Sequence, residues 1–199
     1  MAYYLVDIGN TYFHIYKDGK IMHLKEPVKL DGKIYFISVN EEKKEKFLKL
    51  NRAIDLEPFI DLKTDYVGLG VDRAVLCKAI EDGVVVDAGS AVTIDVMDRG
   101  VHKGGVIIPG LFAFKKAFME ISSRLNKDFC EFSNFPKNTS EAISAGSIGL
   151  IKCMVEKLKG NKKVYLTGGD GKFLAEFIDG EYKEDLIFDG MKKIIKGIK

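Results

Sequence analysis

The feature that most constrains the fold of this 199-residue chain is an internal repeat with an offset of 80 positions. In each copy, an apolar strand pattern runs into an aspartate, a glycine and a small polar residue, and a second, alternating strand pattern follows. The copies are LVDIGNT at residues 5–11 and VVDAGSA at residues 85–91. In each copy the second strand pattern ends at a turn signal, residues 18–19 or residues 98–100. Both turns begin eleven positions after the aspartate of their copy, Asp7 or Asp87. The sequence therefore predicts two strand-turn-strand hairpins of one design.

A glycine at such a bend exposes backbone N–H groups that the sheet does not use, and groups of this kind can hold phosphate oxygens. Taken singly, each copy is better explained as a plain hairpin whose glycine permits an unusual backbone angle. The pair favours a function, because a carboxylate at the end of a buried strand is costly unless it is hydrogen-bonded or faces a cation. Asp7 and Asp87 are therefore candidates for organising a metal-bound nucleotide.

Composition limits the class of protein. With 46% hydrophobic and 30% charged residues the chain can bury a substantial core. Its 31 basic and 29 acidic residues leave a net charge of +2, too small for the electrostatic footprint of a nucleic-acid-binding protein. Pro109 and Gly110 interrupt the longest apolar stretch, residues 106–114, and the N-terminus begins directly with a strand pattern. We therefore expect no nucleic-acid partner, no membrane span and no signal peptide.

The cysteines are odd in number and widely spaced, at positions 77, 130 and 153, without a CxxC pair. This spacing supports neither a disulfide framework nor a zinc site, and it predicts a reducing cytoplasm. The three histidines, His14, His23 and His102, fall in or near the predicted hairpin strands without a second ligand at metal-binding spacing. We expect each of them to be an ordinary half-exposed strand residue.

The order of predicted elements is the same in both halves of the chain. Strands are predicted near residues 3–8, 12–17, 20–24, 33–39, 84–88, 92–97, 101–108 and 163–167. Helices are predicted near residues 41–52, 111–125, 139–159 and 173–177, with a last one from about 189. Antiparallel hairpins followed by helices, twice over, indicate an α/β protein of two similar lobes, which we expect to face each other across a cleft. Since the second repeat begins there, the predicted lobes are residues 1–82 and 83–199.

Two glycine-rich segments allow both a structural and a functional interpretation. In GGVIIPG, residues 104–110, the glycines permit close packing of the main chain or the approach of a ligand. In TGGD, residues 167–170, a strand meets a glycine pair and then a short helix. Such a junction often holds a nucleotide in α/β folds, although it is also a common plain turn.

Two further segments carry polar side chains with alternative roles. In GVDR, residues 70–73, the default role of Asp72 is to cap a helix. Facing a phosphate, Arg73 would fork onto an anionic group while the Asp72 carboxylate accepts a proton from an attacking hydroxyl. Asn138 and Glu141 have the spacing of a capping box, which gives Thr139 a sufficient structural explanation as a first-turn residue.

Five of these motifs, in this order along the chain, resemble those of the type III pantothenate kinases. They are DIGNT (7–11), GVDR (70–73), DAGSAVTID (87–95), GGVIIPG (104–110) and TGG (167–169), and residues 185–191 are similar to the closing segment of that family. The resemblance implies two duplicated ribonuclease-H-like lobes of the actin-like ATPase fold around a nucleotide cleft, usually in a homodimer. It also implies ATP-dependent phosphorylation of pantothenate to 4'-phosphopantothenate, the first step of coenzyme A biosynthesis.

The same resemblance assigns roles to individual residues. Asp72 would be the general base, and Asp87 would hold a monovalent cation, K⁺ or NH₄⁺, while Mg²⁺ accompanies the ATP. The residues implied to contact ATP are Asp7, Gly9, Asn10, Thr11, Gly89, Ser90, Thr167, Gly168 and Gly169. Those implied to contact pantothenate are Gly70, Val71, Arg73, Tyr66 and, across the dimer interface, Thr139.

The sequence departs from the family pattern at two of these positions. Ser90 stands where the family usually has threonine, which keeps the hydroxyl group, and Tyr66 has an unusual spacing from Gly70. Two alternative functions remain open. Phosphate loops do not identify the acceptor, so another small-molecule kinase of the superfamily, acting on a sugar or an acyl group, is one alternative. A catalytically silent ATP-binding regulator with this fold is the other.

Overall fold

A computed structural model describes residues 3–198 of the chain, and this part contains two β-sheets and seven α-helices. The strands are β1 (Tyr3–Ile8), β2 (Phe13–Lys17), β3 (Lys20–Leu24), β4 (Lys33–Ser38), β5 (Ile54–Asp55), β6 (Lys63–Thr64), β7 (Gly83–Ala88), β8 (Ala91–Asp98), β9 (Val101–Pro109), β10 (Val164–Thr167) and β11 (Glu181–Tyr182). The helices are α1 (Glu41–Leu50), α2 (Val71–Ala79), α3 (Leu111–Ile121), α4 (Thr139–Ser144), α5 (Leu150–Lys159), α6 (Gly171–Leu174) and α7 (Leu186–Ile198).

Contacts divide the described chain into two compact units. The first comprises residues 3–81, 99–102 and 185–198, and the second comprises residues 82–98 and 103–184. The chain thus first passes from one unit to the other at residues 81–82, next to the predicted boundary after residue 82. It returns to the first unit at residues 99–102 and again from residue 185, where α7 packs.

The first unit is built on a sheet with the strand order β3-β2-β1-β4-β5. Strand β1 is antiparallel to β2 and parallel to β4, and both of its faces are covered. Leu5 belongs to a core cluster with Val75 of α2 and Met191 of α7, while Val6 and Ile8 belong to a cluster with Phe47 of α1. Burial on both faces explains why β1 has a nearly continuous apolar sequence.

The second unit contains strands in the order β11-β10-β7-β8-β9. Strand β7 is antiparallel to β8 and parallel to β10, so it occupies the position that β1 has in the first unit. One core cluster joins Val84, Val86 and Leu166 of this sheet with Ile151 and Val155 of α5. Two hairpins of one design, each beside a parallel strand, confirm the duplication predicted from the sequence.

Several elements differ from the sequence prediction. Helix α2 forms where only a loop or a helix start was expected, and α7 begins at Leu186 rather than near residue 189. The single helix expected over residues 139–159 is interrupted by a π-helical segment, Ala145–Gly149. The hydroxyl of Ser147 within this segment is fully buried and has no hydrogen-bond partner among residues 3–198. Sequence periodicity of 3.6 residues does not distinguish such a segment from the α-helices on either side of it.

No helix within residues 3–198 is both long enough and apolar enough to cross a bilayer.

Helices α2 and α7 pack closely because α7 has a glycine at the point of contact. A Cβ atom on Gly190 would lie 2.0 Å from the carbonyl oxygen of Val75 and 3.0 Å from its Cγ1. We therefore expect Gly190→Ala to push the helices apart and to lower the free energy of unfolding by about 1–3 kcal/mol. Urea denaturation of the full chain measures this change.

The matched control is Gly197→Ala, on the same helix, where a Cβ atom would meet nothing within 4 Å. Alanine favours a helix more than glycine does, so this variant is expected to be as stable as the wild type or slightly more stable, by less than about 1 kcal/mol. Equal stability of the two variants would contradict the close packing of α2 on α7.

Candidate functional site

The first repeat forms a short loop between β1 and β2. Asp7 is half-buried one residue before the end of β1, and the N–H of Gly9 donates to the carbonyl of Tyr12 at 3.0 Å, which closes the loop. Asn10 and Thr11 at its tip are exposed, and their backbone N–H groups have no acceptor among residues 3–198. The geometry thus provides the unused backbone donors that the sequence predicted, and the phosphate-binding role of this loop stays a prediction.

The second repeat forms the corresponding loop between β7 and β8. The N–H of Gly89 donates to the carbonyl of Ala91 at 2.9 Å, so this loop is one residue shorter than the first. Ser90 is exposed, and its N–H also has no acceptor within the described chain. A Cβ atom on Gly110 would lie 2.3 Å from the carbonyl oxygen of Gly89 and 2.6 Å from that of Ser90. The backbone of Gly110 therefore packs directly against this loop, where any larger residue would clash with it.

The segment TGGD follows β10 and lies against Asp87. Thr167 is the parallel neighbour of Asp87 in the sheet, and the N–H of Asp170 donates to the carbonyl of Ala88 at 2.9 Å. Gly168 has a φ of +84°, and a Cβ atom there would lie 2.5 Å from Oδ1 of Asp87 and 2.4 Å from the carbonyl oxygen of Ala88. Only glycine fits this turn, both by conformation and by space.

Asp72 lies in the first turn of α2, but it does not cap the helix. The capping position belongs to Gly70, which makes no side-chain hydrogen bond, and Asp72 is the second helical residue. Its Oδ1 accepts the backbone N–H of Arg73 at 2.8 Å, and a Cβ atom on Gly70 would lie 2.8 Å from that oxygen. Its Oδ2 accepts no hydrogen bond from the described residues. A helix N-terminus is a favourable place for an acidic side chain.

Arg73 is 4% exposed, and Tyr66 is one partner of its guanidinium group. Its Nη1 donates to the Tyr66 hydroxyl at 3.2 Å, and its Cζ lies 4.8 Å from the centre of the Tyr66 ring. The structure therefore places Tyr66 in contact with Arg73, although the spacing of Tyr66 from Gly70 is unusual for the family pattern. Behind them lie Thr64 and His102, which sequence reasoning did not assign to the site.

His102 corrects an expectation. It is 3% exposed rather than half-exposed; it is the neighbour of Thr64 in the sheet, and its side chain contacts the Thr64 hydroxyl and the Tyr66 ring. Strand β6 has only two residues, too short to give a periodic pattern, so no sequence signal could have placed this contact. His14 is half-buried and His23 is exposed; their Nδ1 atoms lie 2.6 Å apart across β2 and β3.

Thr139 is exposed at the first position of α4, whose N-terminus is capped by its neighbours Asn138 and Glu141. Asn138 Oδ1 accepts the N–H of Glu141 at 3.0 Å, and Glu141 Oε1 accepts from Asn138 Nδ2 at 2.6 Å. The Thr139 hydroxyl takes no part in these cap bonds, so the cap leaves it available for another contact.

One carboxyl group near the second loop has a perturbed pKa. Burial raises the pKa of Asp170, because the charged form loses hydration in the half-buried turn after Gly169. This residue begins α6, where its carbonyl accepts the N–H of Leu174 at 2.9 Å.

The candidate residues fall into two sets, one in each unit. The first unit contains the first loop and the group formed by Tyr66, Gly70, Asp72 and Arg73. The second unit contains the second loop, Asp87, the turn at residues 167–169 and Thr139.

Comparison with known proteins identifies relatives over nearly the whole chain. The family model for type III pantothenate kinase matches residues 44–160. A type III pantothenate kinase of Wolinella succinogenes is 44% identical over 205 residues, which cover 98% of this chain and 97% of the relative. A type III pantothenate kinase of Helicobacter hepaticus is 44% identical over 202 residues, covering 96% and 98% of the two chains.

Solved structures show the same fold. A crystal structure from Campylobacter jejuni, provisionally described as a Baf family transcriptional activator, superposes with a TM-score of 0.86 at 42% identity and covers 98% of both chains. MreB5 of Spiroplasma citri superposes with a TM-score of 0.50 at 10% identity, over 99% of this chain and 96% of MreB5. A Sinorhizobium meliloti protein, provisionally described as a 2-dehydro-3-deoxygalactonokinase, superposes with a TM-score of 0.58 at 13% identity, over 98% of this chain and 99% of that one. These distant likenesses confirm the predicted α/β fold with duplicated lobes of the actin-like ATPase type.

The turn against Asp87 makes a stability prediction. Gly168→Ala combines an unfavourable positive φ with contacts far below van der Waals distance, so we expect it to destabilise the chain by about 1–3 kcal/mol. Gly169→Ala is the matched control, since a Cβ atom there meets nothing within 4 Å. Thermal unfolding followed by circular dichroism compares the two variants. If the Gly168→Ala and Gly169→Ala variants unfold at the same temperature, the close contact between Gly168 and Asp87 is contradicted.

The raised pKa of Asp170 predicts a pH-dependent stability. Because the folded-state pKa exceeds the unfolded one, the folded state binds the proton more tightly, and stability is lost as the pH rises through the folded pKa. Asp170→Asn removes this penalty, so the variant should melt at a higher temperature than the wild type at pH 7. The difference should shrink as the pH is lowered towards about 4. A difference that stays constant with pH would refute the burial of this charge.

Proposed function

This chain belongs to the type III pantothenate kinase family, and we propose on that basis that it phosphorylates pantothenate with ATP to give 4'-phosphopantothenate, the first step of coenzyme A biosynthesis. The observation that carries the proposal is 44% identity to a type III pantothenate kinase, sustained over 98% of the chain. The family match at residues 44–160 includes Asp72, Asp87 and Thr139, so it extends over parts of both units.

Backbone donors of the two loops would hold the phosphates of ATP. The unused N–H groups of Asn10, Thr11 and Ser90 support this role, since each is exposed and points away from the sheet hydrogen bonds. Asp7 and the glycines of both loops shape these donors, and Thr167, Gly168 and Gly169 would border the adenosine. A magnesium ion would neutralise charge on the phosphates when ATP is bound.

Asp72 would act as the general base. Its Oδ1 is held by the N–H of Arg73, which fixes the carboxylate and leaves Oδ2 to accept the proton of the primary hydroxyl of pantothenate. The hydroxyl oxygen then attacks the γ-phosphorus in line, and ADP leaves. Positioning and charge neutralisation supply most of the rate enhancement in this type of reaction.

Arg73 would bind an anionic group of the substrate, with Tyr66, Gly70 and Val71 beside it. The support for this role is that Tyr66 already orients the guanidinium group by a hydrogen bond and by its ring face. Arginine suits this task because its planar donors match the geometry of a carboxylate or a phosphate.

Asp87 would hold the monovalent cation, K⁺ or NH₄⁺. The half-buried carboxylate lies beside the carbonyl oxygen of Ala88 at the Gly168 turn, and oxygen donors of this kind suit a hard cation. Such a cation would offset the charge of the carboxylate and of the bound phosphates.

A homodimer is part of the proposal. The second unit exposes large apolar side chains, among them Phe112 at 79%, Ile121 at 72% and Phe135 at 78%. Exposed apolar surface of this kind is typical of a protein interface. Thr139, whose hydroxyl the α4 cap leaves available, would contact the substrate of the partner subunit.

We also place the enzyme in a reducing cytoplasm. None of Cys77, Cys130 and Cys153 forms a disulfide within the described chain. Cysteines without disulfides are the rule for metabolic enzymes of that compartment.

Two other functions are tested beside it, phosphorylation of a sugar or acyl acceptor and ATP binding without catalysis. The first is open because phosphate loops do not identify the acceptor, and the second because the Campylobacter jejuni structure is described as a transcriptional activator. Purified protein is incubated with ATP, Mg²⁺, K⁺ and either pantothenate or a panel of sugars, phosphorylated products are detected by mass spectrometry, and ATP binding is measured in parallel. Phosphorylation of a sugar but not of pantothenate would indicate the first alternative, and binding of ATP without turnover would indicate the second.

The assignment of the general base makes a kinetic prediction. Asp72→Asn should lower kcat by about 10²–10⁴-fold, because the amide cannot accept the proton, while ATP binding and thermal stability remain those of the wild type. Asp31→Asn, an exposed carboxylate of the same unit, is the matched control and should keep full activity. Near-normal turnover of Asp72→Asn would rule out this base.

A further inference from the structure

Tyr66 is one of the groups that hold the Arg73 guanidinium. A nearly buried charge must be satisfied by fixed partners, and Tyr66 provides both a hydroxyl acceptor at 3.2 Å and a ring face at 4.8 Å. An arginine side chain has several rotatable bonds, so the place of its charged group depends on the places of its partners, Tyr66 among them. A displacement of Tyr66 would therefore change the position of the donors that it holds.

Tyr66 itself lies on a loop that has little support of its own. The loop connects β6 to α2, and its next residue, Val67, is 94% exposed, while Gly68 has a φ of +75°. Loops with few buried contacts move more than the elements they connect. Tyr66 is 36% exposed, so burial alone does not fix it.

Thr64 fixes the backbone of Tyr66. Its Oγ1 accepts the N–H of Tyr66 at 3.0 Å, a local turn in which a hydroxyl replaces a backbone acceptor. The same oxygen lies 2.8 Å from Nδ1 of His102, the residue that pairs with Thr64 between β6 and β9. The His102 ring also lies 5.9 Å from the Tyr66 ring, centre to centre, in a tilted contact.

We propose that Thr64 is a positioning residue for substrate binding: its hydroxyl, held by His102, fixes Tyr66 and thereby aims the guanidinium of Arg73 at the anionic group of the substrate. This inference rests on the proposed function, in which Arg73 binds pantothenate. In this proposal Thr64 and His102 influence the affinity for the substrate without contacting it. The contacts run from His102 and Thr64 in the sheet to Tyr66 in the loop and then to Arg73 in α2, all within the first unit.

Thr64→Val and Thr64→Ser form a matched pair of variants. Valine keeps the shape of the half-buried side chain and removes the hydroxyl, whereas serine keeps the hydroxyl and removes a methyl group. We expect Thr64→Val to raise the KM for pantothenate by about 3- to 30-fold, with kcat and the KM for ATP within about twofold of the wild type. This is the signature of lost uniform binding. Thr64→Ser should restore the wild-type KM.

Two outcomes of these kinetics would overturn the proposal. One is an unchanged KM for pantothenate in Thr64→Val, and the other is equal impairment of the valine and serine variants. A parallel rise in both KM values would likewise assign Thr64 a general structural role. If Thr64→Val does not fold, Thr64→Ala decides, since it removes the same hydroxyl and puts no larger group in the half-buried site. It should raise the KM for pantothenate, and an unchanged value would count against the proposal.

Hydrogen exchange separates a failure of this inference from a failure of the proposed function. The Tyr66 amide should exchange slowly in the wild type and in Thr64→Ser, and at least about tenfold faster in Thr64→Val, with no ligand present. Absence of phosphopantothenate in the wild-type assay would refute the proposed function alone. Equal exchange of the Tyr66 amide in all three proteins would refute the role of Thr64 whatever the wild-type activity.

Discussion

The central strands β1 and β7 are buried on both faces, and each carries a carboxylate one residue before its end. A charged group in that position is tolerable only where the apolar core stops and polar partners begin. The repeat meets this requirement in the same way in both units, with a glycine whose N–H closes the hairpin and exposed donors at the tip. Asp7, Asp87 and the two loops thus follow from one constraint on where a buried strand can end.

Local sequence patterns were sufficient for the elements that they specify directly. The hairpins, α1 and the strand before TGGD were predicted because alternation, capping and glycine turns lie within a few residues of each other. Asn40 caps α1 through its side chain, which accepts the N–H of Lys43. The positions of the site residues at strand ends and helix starts could be predicted from these patterns. Their roles could be predicted only from the resemblance to a family.

The features that the sequence did not predict depend on contacts between distant segments. Asn51 was expected inside α1, yet it ends the helix, because its side chain donates to the carbonyl of Val28 and accepts the N–H of Leu30. The contact of His102 with Thr64 crosses 38 positions and uses a strand of two residues. Gly110, expected only as part of a Pro-Gly turn, packs against the second loop. No local pattern specifies such partners.

Helix α7 has a consequence for how the chain is made. Its Phe188, Met191, Ile194 and Ile195 complete a core cluster whose other members, such as Leu5 and Tyr35, are made before any residue of the second unit. During translation the sheet of the first unit therefore exposes an apolar face until α7 has been made, while the second unit already has its whole core sequence. A chain cut short before α7 would lose the core of the unit whose strands were made earlier.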